Sequence, residues 1–144
     1  MPHTVNICLM QHCSILTVAV SISSFLLLCK VILLGDSGVG KTYLYKRLVT
    51  NEIPTTCVPT LGMDFQTKDM NLDENLNFKL DIWDTAGQEK FRAVNRTYYS
   101  EADLVFFVYD ITDKKTFENL DYWIEDFYDN CTPSGPVVLI GTKK

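Results

Sequence analysis

The sequence predicts an α/β domain built on a mostly parallel sheet with helices on both faces and carrying a phosphate-binding loop. Three observations predict it. From residue 29 onward, short apolar runs alternate with amphipathic, helix-like stretches, as in strands joined by helical crossovers. Cys29-Lys30-Val31-Ile32-Leu33-Leu34, Leu104-Val105-Phe106-Phe107-Val108-Tyr109 and Val137-Val138-Leu139-Ile140 are apolar at nearly every position, as expected of strands covered on both faces. The first of these runs leads into Gly35-Asp36-Ser37-Gly38-Val39-Gly40-Lys41-Thr42, which matches the Gly-rich phosphate-loop (P-loop) pattern in full, in the strand-then-helix setting that the pattern needs.

The elements follow in order. The strand at 29–34 is short, branched and ended by Gly35. An amphipathic helix is expected over 41–50. Residues 51–62 are polar and hold Pro54, Pro59 and Gly62, so they read as a loop. Strands at 64–72 and 76–83 meet at the turn-like cluster Asp73-Glu74-Asn75, placing one antiparallel hairpin strand at the sheet edge. Residues 84–100 hold a loop and a short helix, and 104–109 is a buried strand. One helix is expected over 114–130, with Phe117, Leu120, Trp123, Ile124 and Phe127 forming a core stripe. Pro133 and Gly135 mark a turn region before the strand at 137–140, and Gly141 begins the next loop.

At 144 residues the chain has one domain's worth of sequence. Its formal net charge of −5, without a basic stripe, argues against nucleic acid as a partner. Cys8, Cys13, Cys29, Cys57 and Cys131 are odd in number and fit neither a metal site nor a disulfide framework, so they read as reduced thiols and core filler. His3 and His12 lack ligand-spaced partners.

Residues 1–28 read as an apolar extension, separate from the domain at 29–144. No Lys, Arg, Asp or Glu precedes Lys30. Three readings compete. A signal-anchor helix fits a bilayer span of about 20 residues, with Lys30, Lys41, Lys46 and Arg47 placing the following domain on the cytosolic side. A signal peptide lacks its basic n-region. A non-native start would not fold with the domain at all. The third is preferred, because a membrane helix ending near Leu28 leaves no linker before the strand.

The chemistry lies in two segments. The P-loop glycines let consecutive N–H groups point at phosphate oxygens, and the helix N-terminus favours an anion. Asp36, Ser37, Gly38, Val39 and Gly40 are the expected cradle, Lys41 the charge on the β- and γ-phosphates, and Thr42 a Mg2+ ligand. The second segment, Asp84-Thr85-Ala86-Gly87-Gln88-Glu89, follows an apolar strand end. Asp84 is expected to hold Mg2+, directly or through water. Gly87 can bring its N–H to a γ-phosphate, and Gln88 can orient an attacking water.

With Trp83-Asp84-Thr85-Ala86-Gly87-Gln88-Glu89, Val108-Tyr109-Asp110-Ile111-Thr112, Leu61-Gly62-Met63-Asp64-Phe65 and Tyr98-Tyr99 beside the P-loop, the chain resembles the small GTPases, and among them the Rab proteins. The resemblance implies a P-loop NTPase G domain binding GTP or GDP with Mg2+ and hydrolysing GTP as a switch in vesicle traffic. It implies that Thr60 is the switch I threonine that ligates Mg2+ and senses the γ-phosphate. It implies that Asp84 and Gly87 form the switch II sensor, that Gln88 and Lys41 are catalytic, and that Phe65, Trp83 and Tyr98 present a nucleotide-dependent surface to effectors. Exchange factor, activating protein and effectors are the implied partners, with a monomer on the cytoplasmic side of intracellular membranes. Neither Arg92 nor Arg96 sits at a catalytic arginine position, so hydrolysis is expected to be slow until an activating protein raises it roughly 10³–10⁵-fold.

The sequence departs from that pattern in several places. The guanine-reading Asn-Lys-x-Asp appears as Thr142-Lys143-Lys144, with Lys143 at the place that packs along the base. The domain is therefore expected to be incomplete at the C-terminus, without the guanine-pairing aspartate, the last strand and the last helix, and with a bare sheet edge. Ile53 stands where an aromatic is usual, and Ser100-Glu101 replaces Arg-Gly. The alternative function is a GTPase-like binding module without turnover.

Overall fold

The computed structural model describes residues 7–8, 27–52, 54–56, 58–73 and 76–144. Strands are β1 (Ile7–Cys8), β2 (Leu27–Leu34), β3 (Met63–Asp73), β4 (Leu76–Thr85), β5 (Leu104–Asp110) and β6 (Val137–Thr142). Helices are α1 (Lys41–Thr50), α2 (Arg92–Arg96), α3 (Lys114–Glu118) and α4 (Leu120–Asn130), with a 3-10 turn at Glu89–Phe91. The strands form one sheet in the order β1-β6-β5-β2-β4-β3. β2 pairs in parallel with both β4 and β5, and β5 in parallel with β6, while β3 closes an antiparallel hairpin on β4. The mostly parallel sheet and the edge hairpin match the sequence expectation.

Side chains alternate across a strand, so β2 feeds two cores. Ile32 and Leu34 join Val105, Phe107, Leu120, Trp123 and Phe127 on the α4 face. Val31 and Leu33 join Val39, Tyr45, Ile82 and Val108 on the α1 face. Ile32, Leu33 and Leu34 are fully buried, each worth about 1.5–3 kcal/mol against exposure. Burial on both faces is why this run lacks a polar alternation.

Four details differ from expectation. First, β2 begins at Leu27, two residues before the expected start at Cys29, and pairs Leu27 with Phe78 and Leu28 with Lys79. Second, the helix expected over 114–130 is two helices that meet at Asn119. The Asp113 carboxylate caps the first by accepting from Lys115 N at 3.0 Å, and Asn119 Nδ2 is engaged by Asp36 at 2.7 Å. Third, Phe117 consequently leaves the core stripe: it is 48% exposed and rests edge-on against Tyr109 at 5.0 Å. Fourth, the β6 edge is not wholly bare, because Ile7 and Cys8 pair antiparallel with Ile140 and Leu139. The rest of the anchor, signal-peptide or non-native stretch, residues 1–6 and 9–26, lies outside the described residues. Among the described residues, no helix is long and apolar enough to cross a membrane.

Glu101 has φ 61, a left-handed conformation, at the position where the resemblance places glycine. A residue with a Cβ pays roughly 1–2 kcal/mol there, partly offset by glycine's greater freedom in the unfolded chain. Glu101→Gly is therefore expected to stabilise the fold by about 0.5–1 kcal/mol, read as a higher urea midpoint at unchanged slope.

Candidate functional site

β2 ends at Leu34, and Gly35 turns the chain away with φ 142; a Cβ there would stand 2.1 Å from Val108 O on β5. Only glycine lets the two backbones approach so closely. The loop then enters α1, whose first residue is Lys41. Lys41 is only 5% exposed, and its Nζ donates to Gly35 O and Asp36 O, both at 2.7 Å. Burial pulls the ammonium down to about 8, against the upward pull of the Asp84 and Asp36 carboxylates.

Three hard oxygen donors converge beside it. Thr42 Oγ1 donates to Asp84 Oδ2 at 2.6 Å and lies 2.8 Å from Thr60 Oγ1, which is 3.2 Å from the same carboxylate oxygen. Asp84 is fully buried, and its Oδ1 has no hydrogen-bond partner. Burial raises its pKa, while the Thr42 hydrogen bond, Lys41 and Thr60 oppose the rise. Octahedral Mg2+ with ligands at about 2.0–2.1 Å needs neighbouring oxygens about 2.9 Å apart. Two hydroxyls and a carboxylate at these separations, with a spare buried carboxylate oxygen, fit that cation.

The segment after β4 is pressed onto the loop. A Cβ on Gly87 would lie 2.4 Å from both Asp36 C and Ser37 N. Thr85 Oγ1 donates to Leu33 O at 2.6 Å, and Asn95 Nδ2 to Ala86 O at 2.8 Å. Ala86 N donates to Gly62 O at 2.9 Å, joining this segment to the end of the 51–62 loop. Gln88 follows in an extended conformation and caps the 3-10 turn.

A cavity of about 710 Å³ opens over these groups, walled by Ser37, Gly38, Thr42, Thr60, Gly87 and Lys143 among others. That volume lies in the usual range for small-molecule sites, about 300–1,000 Å³. Gly40 and Lys41 also face it, whereas Asp36, Val39, Asp84 and Gln88 are not among its lining residues. Val39 is a core side chain, 1% exposed. The Asp36 carboxylate accepts from Asn119 Nδ2 at 2.7 Å and Trp123 Nε1 at 2.8 Å. These two P-loop residues therefore have side chains committed to bracing.

At the far wall, Thr142 Oγ1 lies within hydrogen-bond reach of Val39 O and 3.0 Å from Tyr109 O; its single proton serves one at a time. This hydroxyl joins the end of β6 to the P-loop. Lys143 takes φ 64, and its Nζ lies 2.7 Å from Asp110 Oδ2. The hydrogen bond from Lys143, followed by those from Thr112, holds the Asp110 carboxyl at about 2. This value is below the ordinary 3.8, so the pair's contribution is full above about pH 4 and is lost as pH falls toward 2. The stability lead of the wild type over Lys143→Met is expected to stay within about 1 kcal/mol and to vanish across that window in urea titrations.

Phe65, Trp83 and Tyr98 form one aromatic ladder, with centroids at 4.8 Å and 5.3 Å, and Lys30 Nζ stands 4.7 Å over Trp83. Phe65 is 41% exposed, whereas Trp83 and Tyr98 are half-buried. Sequence reasoning did not find the braces Thr85, Asn95, Asn119 and Trp123; nothing in their local pattern signals a long-range partner. Ile53 lies outside the described residues.

A family model described as the Ras family matches residues 30–144. Ras-related protein RABA1c of Arabidopsis thaliana is 42% identical over 116 residues, covering 81% of this chain and 53% of that protein. Ras-related protein Rab-11B of Dictyostelium discoideum is 40% identical over 116 residues, covering 81% of this chain and 52% of that protein. Ras-related protein Rab7 of Prunus armeniaca is 45% identical over 121 residues, covering 81% of this chain and 58% of that protein. The chain spans about half the length of the curated relatives it matches.

Proposed function

The chain belongs to the Ras family of small GTPases, and from that premise we propose that it binds GTP and GDP with Mg2+ and acts as a GTP-hydrolysing switch in membrane traffic. The observation that carries this reading is that Lys41, Thr42 and Thr60 line one cavity beside the 35–40 loop, with the buried Asp84 carboxylate held directly behind the two hydroxyls.

The loop amides and the α1 N-terminus receive the phosphates, and Lys41 exchanges its contacts with Gly35 O and Asp36 O for phosphate oxygens. Thr42, Thr60 and Asp84 hold Mg2+. When bound, that ion neutralises charge on the β- and γ-phosphates. Gln88 orients the water that attacks the γ-phosphate, with Gly87 bringing the preceding N–H to the same group. Thr60 and Gly87 lie on separate segments that meet at the cavity, so loss of the γ-phosphate releases both. The ladder Phe65-Trp83-Tyr98 begins three residues after Gly62 and is tied to the Gly87 segment through Ala86 N and Gly62 O. It is the surface by which effectors distinguish the two states. Exchange factor and activating protein act on the same two segments, and the chain works as a monomer at the cytoplasmic face of a membrane.

The test is binding of a fluorescent GDP analogue to the chain with Mg2+, competed by GTP and by ATP, followed by single-turnover hydrolysis. Displacement by GTP and not by ATP, with slow hydrolysis that Gln88→Leu slows further, is the expected result. Guanine-selective binding without hydrolysis would leave the binding-module alternative. No binding by a cooperatively unfolding sample would remove the nucleotide from the function.

A further inference from the structure

Asp36 is the point at which the phosphate loop is anchored to the rest of the molecule. Its backbone carbonyl accepts from Lys41 Nζ at 2.7 Å, and its carbonyl carbon lies against Gly87, where a Cβ would stand 2.4 Å away. Its carboxylate reaches the opposite way. Oδ1 accepts from Trp123 Nε1 at 2.8 Å, and Oδ2 accepts from Asn119 Nδ2 at 2.7 Å. Trp123 is 0% exposed, and the Arg92 guanidinium stands 4.9 Å over its ring. The indole therefore cannot turn without disturbing both α4 and the segment after Gln88.

We propose that Trp123 is a positioning residue for nucleotide retention, acting through the Asp36 carboxylate to hold the 35–40 loop in its phosphate-receiving shape. The proposal rests on the reading of that loop as the phosphate site. A carboxylate with a donor on each oxygen has no freedom to rotate, so the peptide that faces Lys41 and Gly87 is fixed as well. Removal of the indole N–H leaves Oδ1 of a part-buried charge without its partner, and the loop regains motion. Nucleotide then leaves faster, while the encounter step, which does not depend on this brace, keeps its rate.

The experiment is stopped-flow release and uptake of a fluorescent GDP analogue by the full chain with Mg2+. It compares wild type, Asp36→Ala, Trp123→Phe and the double variant. Loss of one hydrogen bond to a charged group is expected to speed release about tenfold in Trp123→Phe, at unchanged uptake. In the Asp36→Ala background the same change is expected to alter release by less than about twofold, the non-additivity of a shared interaction. Equal acceleration in both backgrounds overturns the proposal, because Trp123 would then act through packing alone, and the phosphate-loop reading would survive. Failure of a cooperatively unfolding wild type to bind the analogue overturns both. If Trp123→Phe does not unfold cooperatively, Asn119→Ala takes its place in the cycle, and additivity there overturns the brace in the same way.

Discussion

Lys41→Met is expected to raise the stability of the nucleotide-free chain by about 2 kcal/mol at pH 7 while lowering nucleotide affinity more than about a hundredfold. The opposite signs follow from one fact. Lys41 is 5% exposed, and its charge is satisfied in the free chain only by two loop carbonyls and nearby carboxylates. Burial brings it to about 8 from the ordinary 10.5. Between those values the unfolded chain holds more protons than the folded one, so wild-type stability rises with pH across that window. Below pH 8 the burial cost is fully present, and the methionine variant leads; above 10.5 the lead is gone. With phosphate bound, the same charge meets its opposite, and its removal strands an anion. Urea unfolding at pH 7 and 10, paired with GDP-analogue titration, reads both signs. Retained affinity in the variant would remove Lys41 from the phosphate site.

Gly35→Ala is expected to destabilise the fold by at least about 3 kcal/mol, lowering the thermal midpoint by roughly 10 °C or more. The β2–β5 pairing runs from Val31 opposite Leu104 to Leu34 opposite Phe107, so Gly35 arrives beside Val108. There a methyl group would meet a backbone carbonyl oxygen at 2.1 Å. A flexible side chain could move aside, but this oxygen belongs to a central strand with a neighbour on each flank. The φ of 142 adds strain that any L side chain feels. Circular-dichroism melts of the two proteins give the comparison, and a midpoint within about 4 °C of wild type would show that the strand ends are not in such contact.

Sheet class, hairpin edge and P-loop were legible because each is written locally. Val31 to Leu34 signals double-sided burial by composition, and Gly35 to Thr42 signals its turn by glycine spacing. Of the Mg2+ candidates, Thr42 and Asp84 were legible from their motifs, whereas Thr60 was legible only through resemblance, since it carries no local mark; its 2.8 Å approach to Thr42 is a product of the fold. The split at Asn119 was not legible, because the apolar period continues through it, and Asn119 is there bonded to Asp36, 83 positions away. Asp36 was expected to serve the phosphates through its backbone, and nothing local showed that its carboxylate would brace α4. The pairing of Ile7 and Cys8 with β6 was hidden for a similar reason: an edge partner needs only backbone, and backbone leaves no compositional trace.

The central place of β2 also sets the order in which the chain can fold. Among the pairings of the sheet, only the β3–β4 hairpin joins consecutive strands without an intervening helix. β2 must find Ile82 through Val31 on one side and Leu104 through the same residue on the other, so both of its ladders close long loops. Non-local pairing of this kind slows folding relative to a helical bundle. During that interval the run from Val31 to Leu34 has no neighbours of its own, and a newly made chain exposes a sticky segment to its copies. The strand that gives the finished domain its two cores is therefore an exposed apolar run until both of its neighbours arrive.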